Sequence, residues 1–204
     1  MLSKWIKSVL GGAAISIGAV VYLTVENHIA GAFLFAIGLF MIYSFGLHLY
    51  TGKVCLIPGK PLSYFAELAV VYTGNLVGTV SMGYILRYTK LMRLAKTAEE
   101  IASSKLADGP MSAFVMSVLC GLMMCVAVLG FTTIKDSVGK HLALIMPVMV
   151  FLLSGFEHSI ANFFYISLAN SWGYQAVLYS AIYAVGNMAG GVILPFASKL
   201  QEGH

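Results

Sequence analysis

In the stretch Ser154-Gly155-Phe156-Glu157-His158-Ser159-Ile160-Ala161-Asn162, a carboxylate, an imidazole and an amide lie close together inside an apolar run. Between His141 and Ser198, Glu157 is the only formally charged residue. Such groups are expensive within a membrane, and where they occur they mark ion paths, proton relays or ligand sites. An imidazole with an unperturbed pKa of about 6.5 can donate, accept or relay a proton near neutrality. His158 and Asn162 are four residues apart and share a face on a helix. Phe151, seven residues before His158, falls on the same face and is expected to close the same path as an apolar gate. Gly155 marks where a spanning helix can be interrupted so that backbone groups face a pore. Glu157 points to another face and is expected to satisfy backbone amides at the interruption.

The elements that must position these groups follow from composition. The 204 residues are 59% hydrophobic and 10% charged, whereas soluble domains carry about 25% charged residues. The chain therefore reads as an all-α membrane protein without a separate soluble domain. A formal charge of +4, with basic residues scattered between apolar segments, gives no surface for nucleic acid. The five histidines show no metal-ligand spacing, and Cys55, Cys120 and Cys125 form no CxxC pair, so neither a metal nor another cofactor is implied. The basic start at Lys4 and Lys7, followed by apolar residues, imitates a leader but reads better as a retained first span.

A spanning helix needs about 20 apolar residues, which predicts six spans at roughly 6–25, 30–57, 64–86, 111–133, 141–169 and 174–197. The second and fifth are too long for a straight crossing. Each carries glycine and polar residues at mid-length, Gly46 to Gly52 in one and Ser154 to Asn162 in the other. Gly74-Asn75-Leu76-Val77-Gly78 and Gly186-Asn187-Met188-Ala189-Gly190 repeat Gly-Asn-x-x-Gly in the third and sixth. The pattern predicts one domain over residues 1–204, made of two inverted three-helix repeats at about 1–86 and 111–204 with helices 2 and 5 broken. Between the repeats, the hydrophilic stretch Arg87 to Asp108 is expected to form a short interfacial helix. With both termini cytoplasmic, Lys4, Lys7, Lys53, Lys60, Lys135, Lys140 and Lys199 lie on the cytoplasmic side, seven basic residues against five outside.

Residues 155–162 resemble the fifth-helix signature of the formate/nitrite transporter family, the pentameric channels for small monovalent anions. Leu49-Tyr50-Thr51-Gly52, the Gly-Asn pairs at Asn75 and Asn187, and Pro147 fall into the same register, so the resemblance covers essentially the whole chain. It implies an aquaporin-like protomer in a homopentamer, each copy with its own pore, in the cell membrane of a bacterial-type cell. It also implies that His158 is the central pore histidine, Thr51 its partner on the broken second helix, and Asn187 an amide lining the path, with Asn162 beside the histidine. Apolar constrictions would be built from Leu39, Leu49 and Tyr50 on one side of His158 and from Phe35 and Phe151 on the other. Lys105 and Lys140 would collect anions at the mouths. Two positions depart from the family pattern. His48 stands where an acidic residue is common, which adds a second titratable group, and Gly121 stands where an asparagine is frequent.

A small anion entering an apolar slit loses its hydration at large cost unless it is neutralised. The expected function is thus a passive or proton-linked channel for anions of weak acids, such as formate, nitrite or hydrosulfide. The anion would be neutralised near His158, with a proton as the co-transported partner and the lipid bilayer as surroundings. An aquaporin-like pore for neutral solutes is the alternative, but paired Asn-Pro-Ala boxes are missing from the sequence. Chemistry by Glu157 and His158 as acid and base lacks a nucleophile, because Ser159 points away from His158 on a helix.

Overall fold

Long apolar segments of good helix formers leave the backbone no partner but itself, and the chain folds almost entirely into helices. The computed structural model describes the backbone of residues 1–202 and the side chains of residues 1–198. The side chain of Lys199, placed on the cytoplasmic side above, lies outside the described residues. Among the described residues, four helices are long and apolar enough to cross a membrane: α1 (Leu2–Thr24), α5 (Tyr64–Leu86), α7 (Pro110–Thr133) and the consecutive pair α10 (Tyr174–Gly191) and α11 (Ile193–Glu202), apolar over Tyr174–Ser198.

The remaining apolar helices are shorter. After α1, Asn27 caps α2 (His28–Phe35) by accepting from the Ala30 amide at 3.0 Å. α3 (Ile37–Ser44) continues it, five non-helical residues follow, and helix resumes as α4 (Tyr50–Lys53) and a 3-10 turn over Val54–Leu56. In the second half, α8 (Ser137–Leu153), capped by Asp136, stops at Ser154, and α9 (Ser159–Ala169) begins after another five-residue gap. Gly46 and Gly155 hold these gaps with φ of +61° and +70°, a conformation that disfavours residues with a Cβ. The hydrophilic connector forms α6 (Ala95–Ala107), which buries Ala98 and Ala102 and exposes Lys96, Glu99 and Glu100.

α1 packs on α5, and α7 packs on α10, at glycine distance. Gly78 lies so close to the Val9 carbonyl, and Gly190 to the Val118 carbonyl, that neither site has room for a Cβ. Gly12 and Gly121 lie equally tight against the backbone of Asn75 and Asn187. Small residues at such crossings let helices approach without a hydrophobic driving force. The same crossings bring each asparagine next to an interrupted segment, so the packing and the site share one cause. Gly121 is thus occupied by close packing: an asparagine side chain there would meet the Asn187 backbone in this arrangement.

Gly190→Val should break the α7–α10 crossing, since overpacking a tight contact costs about 1–3 kcal/mol. Gly173→Ala, where a Cβ meets nothing within 4 Å, should be neutral. Melting temperature and size-exclusion profile in detergent check the pair, and equal behaviour of the two variants would contradict the close approach.

Candidate functional site

Each interrupted segment exposes amide and carbonyl groups that have no helical partner, and one buried asparagine satisfies them on each side. Asn75 Oδ1 accepts from the Tyr50 amide at 2.8 Å, while Nδ2 donates to the carbonyls of Ser8 at 2.6 Å and His48 at 2.8 Å. Asn187 Oδ1 accepts from the Ser159 amide at 2.9 Å, and Nδ2 donates to Ser117 at 2.8 Å and Glu157 at 2.7 Å. A backbone bond completes each set, from the His48 amide to the Lys7 carbonyl and from the Glu157 amide to the Met116 carbonyl, both 3.3 Å. The Asn187 amide, expected to line the path, holds the interruption and does not border the cavity described below.

These bonds bring the starts of α4 and α9 together. Thr51, fully buried, meets His158 with Oγ1 3.0 Å from Nε2. His158 caps α9 through its own ring, because Nδ1 accepts from the Ala161 amide at 3.1 Å. That acceptance assigns the ring proton to Nε2, so the histidine donates and the threonine oxygen accepts. A second proton at Nδ1 would face the Ala161 N–H, and the cap thereby holds the ring neutral. The Thr51 hydroxyl hydrogen then has no acceptor among the described residues. His158 is the cap of α9 rather than a residue within it, so the contact with Phe151 does not come from helical spacing. Phe151 lies in the last turn of α8, its ring stacks on His158 at 5.4 Å, and Phe35 packs edge-on against it at 5.9 Å.

A cavity of about 700 Å³ leads to His158 from the side of α6, with Phe151, Lys105, Glu157 and Asn162 in its wall. α6 is fixed over this mouth because its last carbonyls, unpartnered within the helix, accept from α10. Tyr183 donates to Lys105, Gln175 to Leu106 and Tyr179 to Asp108. Lys105 Nζ lies 2.8 Å from Glu157 Oε2, which also accepts from Asn162 Nδ2 at 2.6 Å. Glu157 is thus satisfied by side chains, not by the backbone amides expected for it. Lys105, expected to collect anions at the mouth, borders the cavity as an ion-paired cation whose charge is locally balanced.

The other candidates lie apart from this cavity. Leu39, Leu49 and Tyr50 are buried in the main core; the Tyr50 hydroxyl donates to the Ala184 carbonyl at 3.0 Å, and its ring packs on Tyr72 at 4.9 Å. His48 is half-exposed near the start of α1, where Lys4 pairs with Glu67 at 2.7 Å. Lys140, in the first turns of α8, sits over the Phe131 ring at 5.5 Å and does not border the cavity. Sequence reasoning passed over Tyr22 and Tyr165 in the cavity wall. The signal for Tyr165 was available: with Ala161 and Asn162 it stands three, four and seven residues after His158.

A family model described as "Formate/nitrite transporter" matches residues 1–199. The chain is 28% identical over 186 residues to "Formate channel FocA" of Haemophilus influenzae, covering 81% of this chain and 66% of that protein. It is 25% identical over 188 residues to "Formate channel FocB" of Escherichia coli, covering 82% and 67%. The chain spans about two thirds of the length of the curated relatives it matches. Its fold is similar to that of a solved "Pentameric formate channel with formate bound", with TM-score 0.83, 23% identity, and coverage of 100% and 98%.

Asn187→Leu should leave the Ser159 amide and the Glu157 carbonyl without their partner, at about 1–3 kcal/mol for each buried group. Thr51→Val removes one hydrogen bond at similar volume and should cost less. Thermal melting of both variants in detergent tests the order, and a Thr51→Val melt as low as that of Asn187→Leu would show that the asparagine is not the main support.

Proposed function

The chain belongs to the formate/nitrite transporter family, and from that premise we propose that it is a membrane channel for small monovalent anions of weak acids, of the formate, nitrite or hydrosulfide kind. The observation that carries this reading is the buried Thr51–His158 hydrogen bond at the floor of the cavity, stacked under Phe151. The family's members are transporters, not enzymes, and no reaction at Glu157 or His158 is required of them. On this reading the helices form six spans in two inverted three-helix repeats, aquaporin-like, with the second and fifth broken. The matched asparagine bonds of the two halves support the repeat. The protein would sit in the cell membrane as a homopentamer with both termini cytoplasmic, so that the Lys105 side faces outward.

Neutralisation follows from magnitudes. Protonating an acid whose pKa is about three units below ambient pH costs about 4 kcal/mol. Carrying the bare anion into an apolar slit costs several kcal/mol in a relaxed protein and about 20 in the idealised limit. The anion therefore takes up a proton from solvent as it leaves the cavity, passes Phe35 and Phe151 as the neutral acid, and releases the proton beyond. His158, held neutral by its cap, contributes the Nε2–H that orients Thr51, and Thr51 offers its own hydroxyl hydrogen to the solute. His48 is proposed as a second polar station on the far side, with Leu39, Leu49 and Tyr50 as the constriction between.

Liposomes loaded with a pH dye test the coupling. Formate uptake should rise as external pH falls and should acidify the interior, and uptake that builds membrane potential with no acidification would refute neutralisation. Native mass spectrometry checks the pentamer at the same time.

Phe151→Ala should keep the fold and raise leak of hydrated ions, because an apolar constriction excludes them. Chloride flux in the same liposomes is the readout. A variant as chloride-tight as the parent would place the barrier elsewhere.

A further inference from the structure

Lys140 and His141 have no part in the path through Thr51 and His158, yet they lie at one end of a second cavity. This is a cleft of about 180 Å³ between α2–α3 and α8, walled by Phe33, Ile37, Phe40, Leu144 and Ile145, with His141 the one polar residue among those that line it. Phe33, Ile37 and Phe40 are exposed along it, so it opens on the outer surface of the protein. The His141 ring lies 6.0 Å from Phe40 and 5.7 Å from Phe131, and Lys140 Nζ stands 5.5 Å over that same Phe131 ring. His141 Nδ1 donates to the Ser137 carbonyl at 2.6 Å, which fixes the ring at the end of the cleft. Lys140 pairs with no carboxylate among the described residues. Asp136, the acid beside it in sequence, is held as the cap of α8 by the Gly139 amide at 2.5 Å. With Lys135 in the same connection, this corner carries two lysines against one capped carboxylate. α7 starts at Pro110, three residues after α6 ends, and α8 starts four residues after α7 ends, so the corner lies on the side away from the Lys105 mouth.

We propose that the cleft seats one acyl chain of an anionic phospholipid, whose charged head group is held by Lys140. The seat rests on the membrane placement proposed above, which puts this corner at the cytoplasmic leaflet, and not on which solute passes. An apolar cleft in a bilayer gains nothing from hydrophobicity, because lipid tails are as apolar as its walls. It fixes where a tail lies, and the choice among lipids falls to the charge at its end. Basic pockets between spanning helices on the cytoplasmic side bind anionic head groups, and the negative lipids of that leaflet draw lysines to its surface. Ala36, in the wall of the cleft, follows Phe35, which packs on Phe151. A seated lipid thus braces from outside the two helices that carry the rings over His158.

Native mass spectrometry of the detergent-solubilised protein, titrated with dioleoylphosphatidylglycerol or dioleoylphosphatidylcholine, reads the seat directly. The parent should half-saturate with the glycerol lipid at a concentration about 5-fold lower, the worth of one lysine beside an anionic head group. Lys140→Gln should abolish that preference and Lys140→Arg should keep it. Ile37→Trp fills the cleft from an exposed position and should weaken both lipids alike. Equal binding of the two lipids by the parent, a preference that survives Lys140→Gln, or binding undiminished by Ile37→Trp would overturn the proposal. Should Lys140→Gln or Ile37→Trp break up the parent's oligomer while lipid bound per copy stays the same, the cleft would be a contact between copies, and the proposal would fall.

Discussion

The rest of the structure depends on satisfying the backbone of two helices that stop inside an apolar protein. A carbonyl or amide left bare in such surroundings costs more than most side-chain contacts return. Asn75 and Asn187 meet that demand with one acceptor and two donors each, which is the full reach of a carboxamide short of a second lone pair. The glycines at the α1–α5 and α7–α10 crossings let those amides reach the interruptions. Helix packing, backbone satisfaction and the meeting of Thr51 with His158 are therefore one arrangement.

That dependence explains the electrostatics of the cavity. Glu157 lies directly before the histidine with its carbonyl held by Asn187, so its side chain is turned toward α6 and Asn162. An unpaired carboxylate there would repel any anion that approached His158. Lys105 cancels it at 2.8 Å, and the pair keeps the approach close to neutral. α10, through Tyr183, Gln175 and Tyr179, fixes the lysine indirectly by holding the end of α6.

Much of this was legible in the sequence, for physical reasons that differ by residue. Apolar segments too long for one crossing announced that something interrupts them, and the residues from Gly155 to Asn162 carried enough specificity to name a family that the match over residues 1–199 bears out. Pairings were not legible. Lys105 and Glu157 are 52 positions apart, and no local pattern reports that a basic residue in a basic connector turns inward. Asn187 was placed on the path by the family resemblance, and only the geometry shows where its hydrogen bonds go. Tyr165 carried a spacing signal, seven residues after His158, but its type masked it, since an aromatic residue among Phe163, Phe164 and Ile166 reads as core.

The glycine crossings have a mechanical consequence. Helices seated backbone to backbone cannot slide without collision, and each asparagine ties such a pair to the start of a short helix in the middle of the protein. Each set of asparagine bonds lies within one half, so sliding α1 on α5 or α7 on α10 would break it, while the two halves meet through other contacts such as Thr51–His158. Within each half, what remains free to move is the size of a side chain, such as the ring of Phe151 over His158. Rotations of that kind take place in far less time than the rearrangements of a rocking carrier. Each half is thereby a stiff block whose quick motions are those of rings, not of helices.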